Sequence, residues 1–324
     1  MAEPGGGRAS LTGILLVAAA GLVWGTIPIA LAAAKSAPVI AVFARVLIAG
    51  VVMAGWMAAT RGWREVSGLP RKKVVQLLIQ GVVLTVNWVL FLTALDMTNV
   101  ATAELLGYMG PVFVAVLAPF VTKERFDSRI VLPMVLALGG IVVILAPQGL
   151  AVAGGRQTLG AVLAFLSALT YSVLLLRSKN ILHGVTARAL MVVEYGVATV
   201  LLLPFAIWLF AQGQGPSTPG AYVALSTLGV VHTAFAGLLF LAGLRLIRTD
   251  HAAILTYAEP ASAVVFAAIF LAQPLSVPTV VGGAMVVAGG ALVARLEARE
   301  VAIAPESAGA FDTGLPPEVE RPRD

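Results

Sequence analysis

The sequence predicts an all-α integral membrane protein of ten transmembrane helices, arranged as two inverted five-helix repeats around a central cavity. Three observations carry that prediction. The first is composition: 59% of the residues are apolar and 11% are charged, against roughly 45–50% and about 25% in a soluble domain. The mean hydropathy is +0.97, and so little charge does not coat a water-facing surface. The second is the placement of that charge in short loops between apolar runs long enough to cross a hydrocarbon core of about 30 Å. The third is an internal repeat that divides the chain in half.

In chain order, residues 1–10 form a short Gly-rich cytoplasmic N-terminus carrying Arg8. Apolar runs, numbered here as spans 1 to 10, follow at 11–33, 37–59, 74–95, 100–121, 129–146, 158–178, 186–210, 219–242, 252–272 and 277–295. Span 1 lacks a small-residue cleavage site and leads into further spans, so it reads as a membrane helix and not as a removed signal. The basic residues then orient the chain. With the N-terminus inside, Arg61, Arg64, Arg71, Lys72, Lys73, Lys123, Arg125, Arg129, Arg177, Lys179, Arg188, Arg245, Arg248 and Arg295 fall on the cytoplasmic side. Only Lys35 and Arg156 fall opposite, and Arg45 lies within a span. This asymmetry predicts a multi-pass protein of the cell membrane, expected to be a bacterial inner membrane, with both termini cytoplasmic. Residues 296–324, rich in Glu, Pro, Gly and Arg, read as a disordered cytoplasmic tail.

The repeat emerges when the second half is laid on the first. At an offset of 149, Phe91 falls on Phe240, Leu95 on Leu244, Ala103 on Ala252, Tyr108 on Tyr257, Pro111 on Pro260 and Gly140 on Gly289. A two-residue gap near the start brings Gly13 onto Gly160 and Trp24 onto Tyr171. The first repeat covers 11–146, a Gly-rich linker 147–157, and the second repeat 158–295. Each repeat has an odd number of helices, so the second crosses the bilayer upside down.

The residues that carry a family likeness are Gly21-Leu22-Val23-Trp24-Gly25 in span 1, Arg45 in span 2, the Pro-centred spans 4 and 9, and Lys123-Glu124-Arg125 after span 4. In these the chain resembles the drug/metabolite transporter superfamily, specifically the ten-helix EamA-type transporters, over about residues 11–295. The resemblance implies a secondary active transporter working by alternating access, expected to export small polar or amphipathic metabolites such as amino acids. A multidrug or other metabolite transporter of the same fold, and an intramembrane enzyme, are the alternatives. The chain departs from the family at Gln273, where the second repeat usually has the Glu that matches Glu124.

Enzyme signatures are absent. There is no His-Glu-x-x-His, Gly-x-Ser-x-Gly or Gly-x-x-x-x-Gly-Lys, and His183, His232 and His251 lie in different segments without metal spacing. No catalytic residue, metal or cofactor is implied. The expected partners are a small-molecule substrate and the lipid bilayer, with protons a candidate coupling ion and no nucleic acid, because the net charge of +5 is dispersed over loops. The lack of cysteine excludes disulfides and thiolate chemistry.

The candidate site residues are polar or helix-breaking groups inside spans. Pro111 and Pro260 each free the carbonyl four residues back, Gly107 and Thr256, in a medium without water. Matched breaks in inverted halves point to a substrate site, while a packing kink is the competing explanation. Arg45 and Glu194 occupy matching positions. A buried charge is costly unless paired, so both are substrate-binding candidates, against a structural or snorkelling role for Arg45. Glu104 shares a helix face with Tyr108 and Pro111 by its spacing, and Glu259 precedes Pro260. Either suits a cationic group or a proton, though Glu104 also reads as interfacial. Asn87 and His232 lie near mid-span, where interhelical hydrogen bonding is the plainer role for Asn87. Trp24, Tyr108 and Tyr257, with Tyr171, complete the proposed pocket lining, and packing or interfacial anchoring is the alternative for all four.

Overall fold

In the computed structural model of the chain, residues 5–149, 154–271 and 276–303 are described. Among them there is no strand, and ten helical segments are long and apolar enough to cross a membrane. They run Ser10–Ala34, Pro38–Ala59, Arg71–Met97, Val100–Val121, Ser128–Leu145, Gly155–Leu182, Ala187–Ala211, Pro219–Leu244, Thr249–Phe270 and Val277–Arg299. Helix starts follow local chemistry: Asn99, Thr186 and Thr218 each accept a hydrogen bond from an amide three residues on, at 2.8, 3.2 and 3.2 Å, satisfying an otherwise orphaned donor.

The spans pair as an inverted repeat requires. Span 3 lies along span 6, and its counterpart, span 8, lies along span 1. Span 4 contacts span 6 as span 9 contacts span 1. Spans 2 and 7, 4 and 9, and 5 and 10 meet their own counterparts, which puts the pseudo-two-fold axis between the members of each pair. Spans 5 and 10 cross with backbones in contact. A Cβ added at Gly140 would lie 2.5 Å from the Gly282 carbonyl oxygen, and one added at Gly282 would strike the Gly140 oxygen, so only glycine permits this approach. The Gly21-x-x-x-Gly25 pair serves the same purpose within the chain, facing Ala258 and Ser262 of span 9.

Four features differ from the expectation. Span 1 is not continuous: it runs as Gly5–Trp24 and Ile27–Ala34, with Pro28 in the first turn of the second piece, where its missing N–H costs nothing. Span 8 contains a π-helical stretch, Leu228–Phe235. A short helix, Arg64–Ser67, interrupts the loop before span 3. The last helix continues to Ile303, past the expected end at 295, and Glu297 on it is buried. The first residues of the expected disordered tail are therefore helical, because Glu297 has a buried partner, His251; residues 304–324 lie outside the described ones. At the start of span 5, a hydrogen bond from the Arg129 side chain holds the Asp127 carboxyl below its ordinary range.

Candidate functional site

Spans 4 and 9 break at matching places. Val100–Gly107 stops at Tyr108 and the chain restarts as Gly110–Val121; Thr249–Leu255 stops at Thr256 and restarts as Ala258–Leu271. Pro111 and Pro260 sit just inside the restarted pieces and both are buried. The Thr256 carbonyl, expected to be free, instead accepts from the Glu259 amide at 2.9 Å, a tighter turn at the break; the carbonyl used across the axis is that of Tyr108, to which the Tyr257 hydroxyl donates at 2.6 Å. The two tyrosine rings stand edge to face, 6.1 Å apart. Tyr171 of span 6 packs against Gly110, where a Cβ would lie 2.7 Å from its ring.

Around these breaks the structure gathers Arg45, Glu104, Tyr108, Tyr257 and Glu259. The field of Glu259 reaches both Glu104 and Arg45, and those of both carboxylates reach Tyr108. Glu259 lies in the first turn of a helix, where the positive end of the helix dipole favours an anion. Neither Glu104 nor Glu259 has a hydrogen bond or ion pair from its carboxylate among the described residues. Arg45 is anchored on one edge only. Its Nε donates to Thr233 Oγ1 at 2.9 Å, and its guanidinium carbon lies 4.9 Å from the centre of the Trp88 ring, while its two terminal nitrogens have no protein hydrogen bond among the described residues.

The anchor of Arg45 is the π-helical stretch. A π turn pairs groups five residues apart, and here side chains fill that register: Thr233 Oγ1 donates to the Leu228 carbonyl at 2.8 Å, and His232 Nδ1 lies 3.1 Å from that of Thr227. Trp24 Nε1 donates to the His232 carbonyl at 2.8 Å, and Thr26 Oγ1 lies 2.7 Å from His232 Nε2. The Tyr195 hydroxyl donates to the Thr233 carbonyl at 3.2 Å. Trp24 and His232 thus hold the break in span 1 onto span 8, beside the arginine.

Two of the sequence-derived candidates stand apart. Asn87 is buried between spans 3 and 6 and donates to the Ser167 carbonyl at 2.7 Å and to Ser167 Oγ and Thr170 Oγ1 at 3.1 Å. Glu194 is buried without a hydrogen bond or ion pair among the described residues. Among the described residues it forms no ion pair with Arg45, which bonds Thr233 and lies on the Trp88 ring instead. Sequence reasoning missed Trp88, Tyr195 and Thr233. Trp88 and Tyr195 each follow a singled-out polar residue, but neighbouring positions on a helix point about 100° apart, and only the packing shows which of them faces the site.

With this geometry in hand, residues 11–146 and 158–295 each match the EamA-like transporter family. The chain belongs to that family. It is therefore a multi-pass membrane transporter. An uncharacterized transporter YxxF of Bacillus subtilis (strain 168) is 26% identical over 252 residues, 78% of this chain and 79% of that one. An uncharacterized transporter of Archaeoglobus fulgidus is 28% identical over 206 residues, 61% of this chain and 68% of its own. Protein RarD of Salmonella typhimurium is 29% identical over 220 residues, 66% and 69% of the two chains. A solved crystal structure superimposes with a TM-score of 0.76 at 21% identity, covering 91% of this chain and 98% of its own, which establishes a shared fold.

Proposed function

We propose that this chain is a secondary active transporter of the cell membrane, with both termini cytoplasmic, that exports small polar or amphipathic metabolites such as amino acids by rocking one repeat against the other. The observation that supports this most is Arg45, held on one edge by Thr233 and Trp88 with its terminal nitrogens left over. A guanidinium presented in that way suits two-point pairing with a carboxylate. The unpaired carboxylates Glu259 and Glu104 suit an ammonium group, and Trp24, Tyr108 and Tyr257 offer rings to the remainder. The cargo is moved without covalent chemistry, and no cofactor takes part. Protons are the proposed coupling ion, exchanged at the same carboxylates. A cationic-drug cargo is the second reading, favoured by three intramembrane carboxylates without a partner among the described residues, Glu104, Glu194 and Glu259.

The test is reconstitution into liposomes with a panel of amino acids and cationic drugs, with and without a pH gradient. Gradient-dependent movement of amino acids is the expected result. Movement of cationic drugs alone replaces the first reading by the second, and movement of neither removes both.

A further inference from the structure

Because the halves are related by a repeat, a difference between matching elements reports the state of the molecule. All seven residues of Thr249–Leu255 are buried, whereas its counterpart Val100–Gly107 buries only Ala101, Thr102 and Ala103. Tyr257 is fully buried and its counterpart Tyr108 is half-buried. Among the described residues, the end of the bundle where span 9 begins is therefore the more closed and the end where span 4 begins the looser.

At the closed end, hydrogen bonds pass from one repeat to the other. The Glu124 carboxylate, in the loop after span 4, accepts from the Thr249 amide at 3.0 and 3.2 Å and from its hydroxyl at 2.8 Å. Beside it Arg248, held by Asp250 at 2.7 and 3.1 Å, donates to the Arg125 carbonyl at 2.9 Å. Lys123 adopts a left-handed backbone, φ 61°, which turns the chain so that Glu124 follows directly after span 4. The helix Thr249–Leu255 receives no cap from its own preceding residue, Arg248; the other repeat supplies one. Asn99 caps Val100–Gly107 from within the same repeat, accepting from Thr102 N at 2.8 Å, and the sequence counterpart of Glu124 is the uncharged Gln273.

We infer that Glu124 is a gating residue: a carboxylate latch from the first repeat onto span 9 that holds the transporter shut at that end, so that the cargo site rests accessible from the opposite side. Pulling the repeats apart at the closed end costs the Thr249 amide and hydroxyl their carboxylate acceptor, whereas the Asn99 cap at the other end lies within one repeat. The inference rests on the transport reading above, and with the proposed topology the latched end is cytoplasmic.

The chain has no cysteine, so Ala253→Cys, on the buried half-helix, is a single reporter of opening. In inside-out vesicles without cargo, a membrane-impermeant maleimide is expected to label it slowly in the parent and roughly tenfold faster when Glu124→Ala is added, the scale set by loss of a helix cap. Glu124→Gln, which keeps one acceptor oxygen, is expected to give a smaller rise. Labelling at the parent rate in both variants overturns the inference. Should the alanine variant not reach the membrane, Glu124→Gln and Thr249→Val carry the test by the same criterion. Faster labelling in a protein that moves no cargo upholds the latch and removes the cargo assignment, while parent-rate labelling with intact transport removes the latch alone.

Discussion

Replacing Arg45 separates a cargo contact from a structural cation. Its protein contacts are few: one hydrogen bond, Nε to Thr233 at 2.9 Å, and the Trp88 ring at 4.9 Å. Arg45→Lys keeps the charge but has neither an Nε at that place nor a planar face for the ring. A hydrogen bond to a charged group is worth about 1.5–3 kcal/mol and the ring contact about 0.5–2 kcal/mol, part of which an ammonium recovers. A net loss of about 2 kcal/mol corresponds to roughly 30-fold weaker apparent affinity. Thr233→Val leaves the guanidinium in place without its anchor and is expected to cost roughly tenfold, about 1.4 kcal/mol. Arg45→Ala, which removes the partner of the cargo carboxylate, is expected to abolish transport. The assay is counterflow of a labelled amino acid in proteoliposomes, with equal amounts of folded protein, so that half-saturating concentration and maximal rate are read apart. Full uptake by the Arg45→Ala protein refutes the assigned role. An Arg45→Ala protein that fails to insert assigns the residue to the fold instead.

Tyr257→Phe removes the donor to the Tyr108 carbonyl and leaves a polar group of the span 4 break unpaired, at a cost of about 1–3 kcal/mol; a melting midpoint in detergent lowered by a few degrees is expected, and an unchanged midpoint counts against the cross-axis bond. Gly140→Leu drives a side chain into the span 10 backbone; overpacking of about 1–3 kcal/mol or more is expected to abolish the monodisperse peak in size-exclusion chromatography, whereas Gly139→Leu, where the nearest contact is the flexible end of Met285, is expected to retain it. Topology reporters fused at Gly155 and Glu300 are expected to land on opposite sides of the membrane, and both on one side refutes the proposed orientation.

Much of the architecture was legible because a bilayer constrains the chain severely. Each span needs about twenty apolar residues with its backbone bonded internally, so all ten spans stand out in composition. The matched prolines and tyrosines of spans 4 and 9 likewise marked the breaks before any coordinates, since proline carries its geometric consequence with it. The break in span 1 was missed although Pro28 signals it, because an apolar run reads the same whether or not its axis bends. The π-helical stretch has no such signal: its extra residue is accommodated by side chains, His232 and Thr233, that bond carbonyls five residues back.

By itself the sequence determined the membrane environment, the number of spans, the duplication and the family, all of which rest on composition and on order along one chain. Only the tertiary structure decided which polar side chains meet. Arg45 and Glu194 match in the repeat, yet inversion sends matching positions to opposite depths, so Arg45 turns to Thr233 and Trp88 and Glu194 has no hydrogen bond or ion pair among the described residues. Asn87 proved to be joined to span 6 by hydrogen bonds. Glu124, which the sequence marked only by family likeness, meets a helix start 125 residues away. Contacts of that kind depend on helix rotation and on the distance between packed axes, and neither quantity is written in the order of the residues.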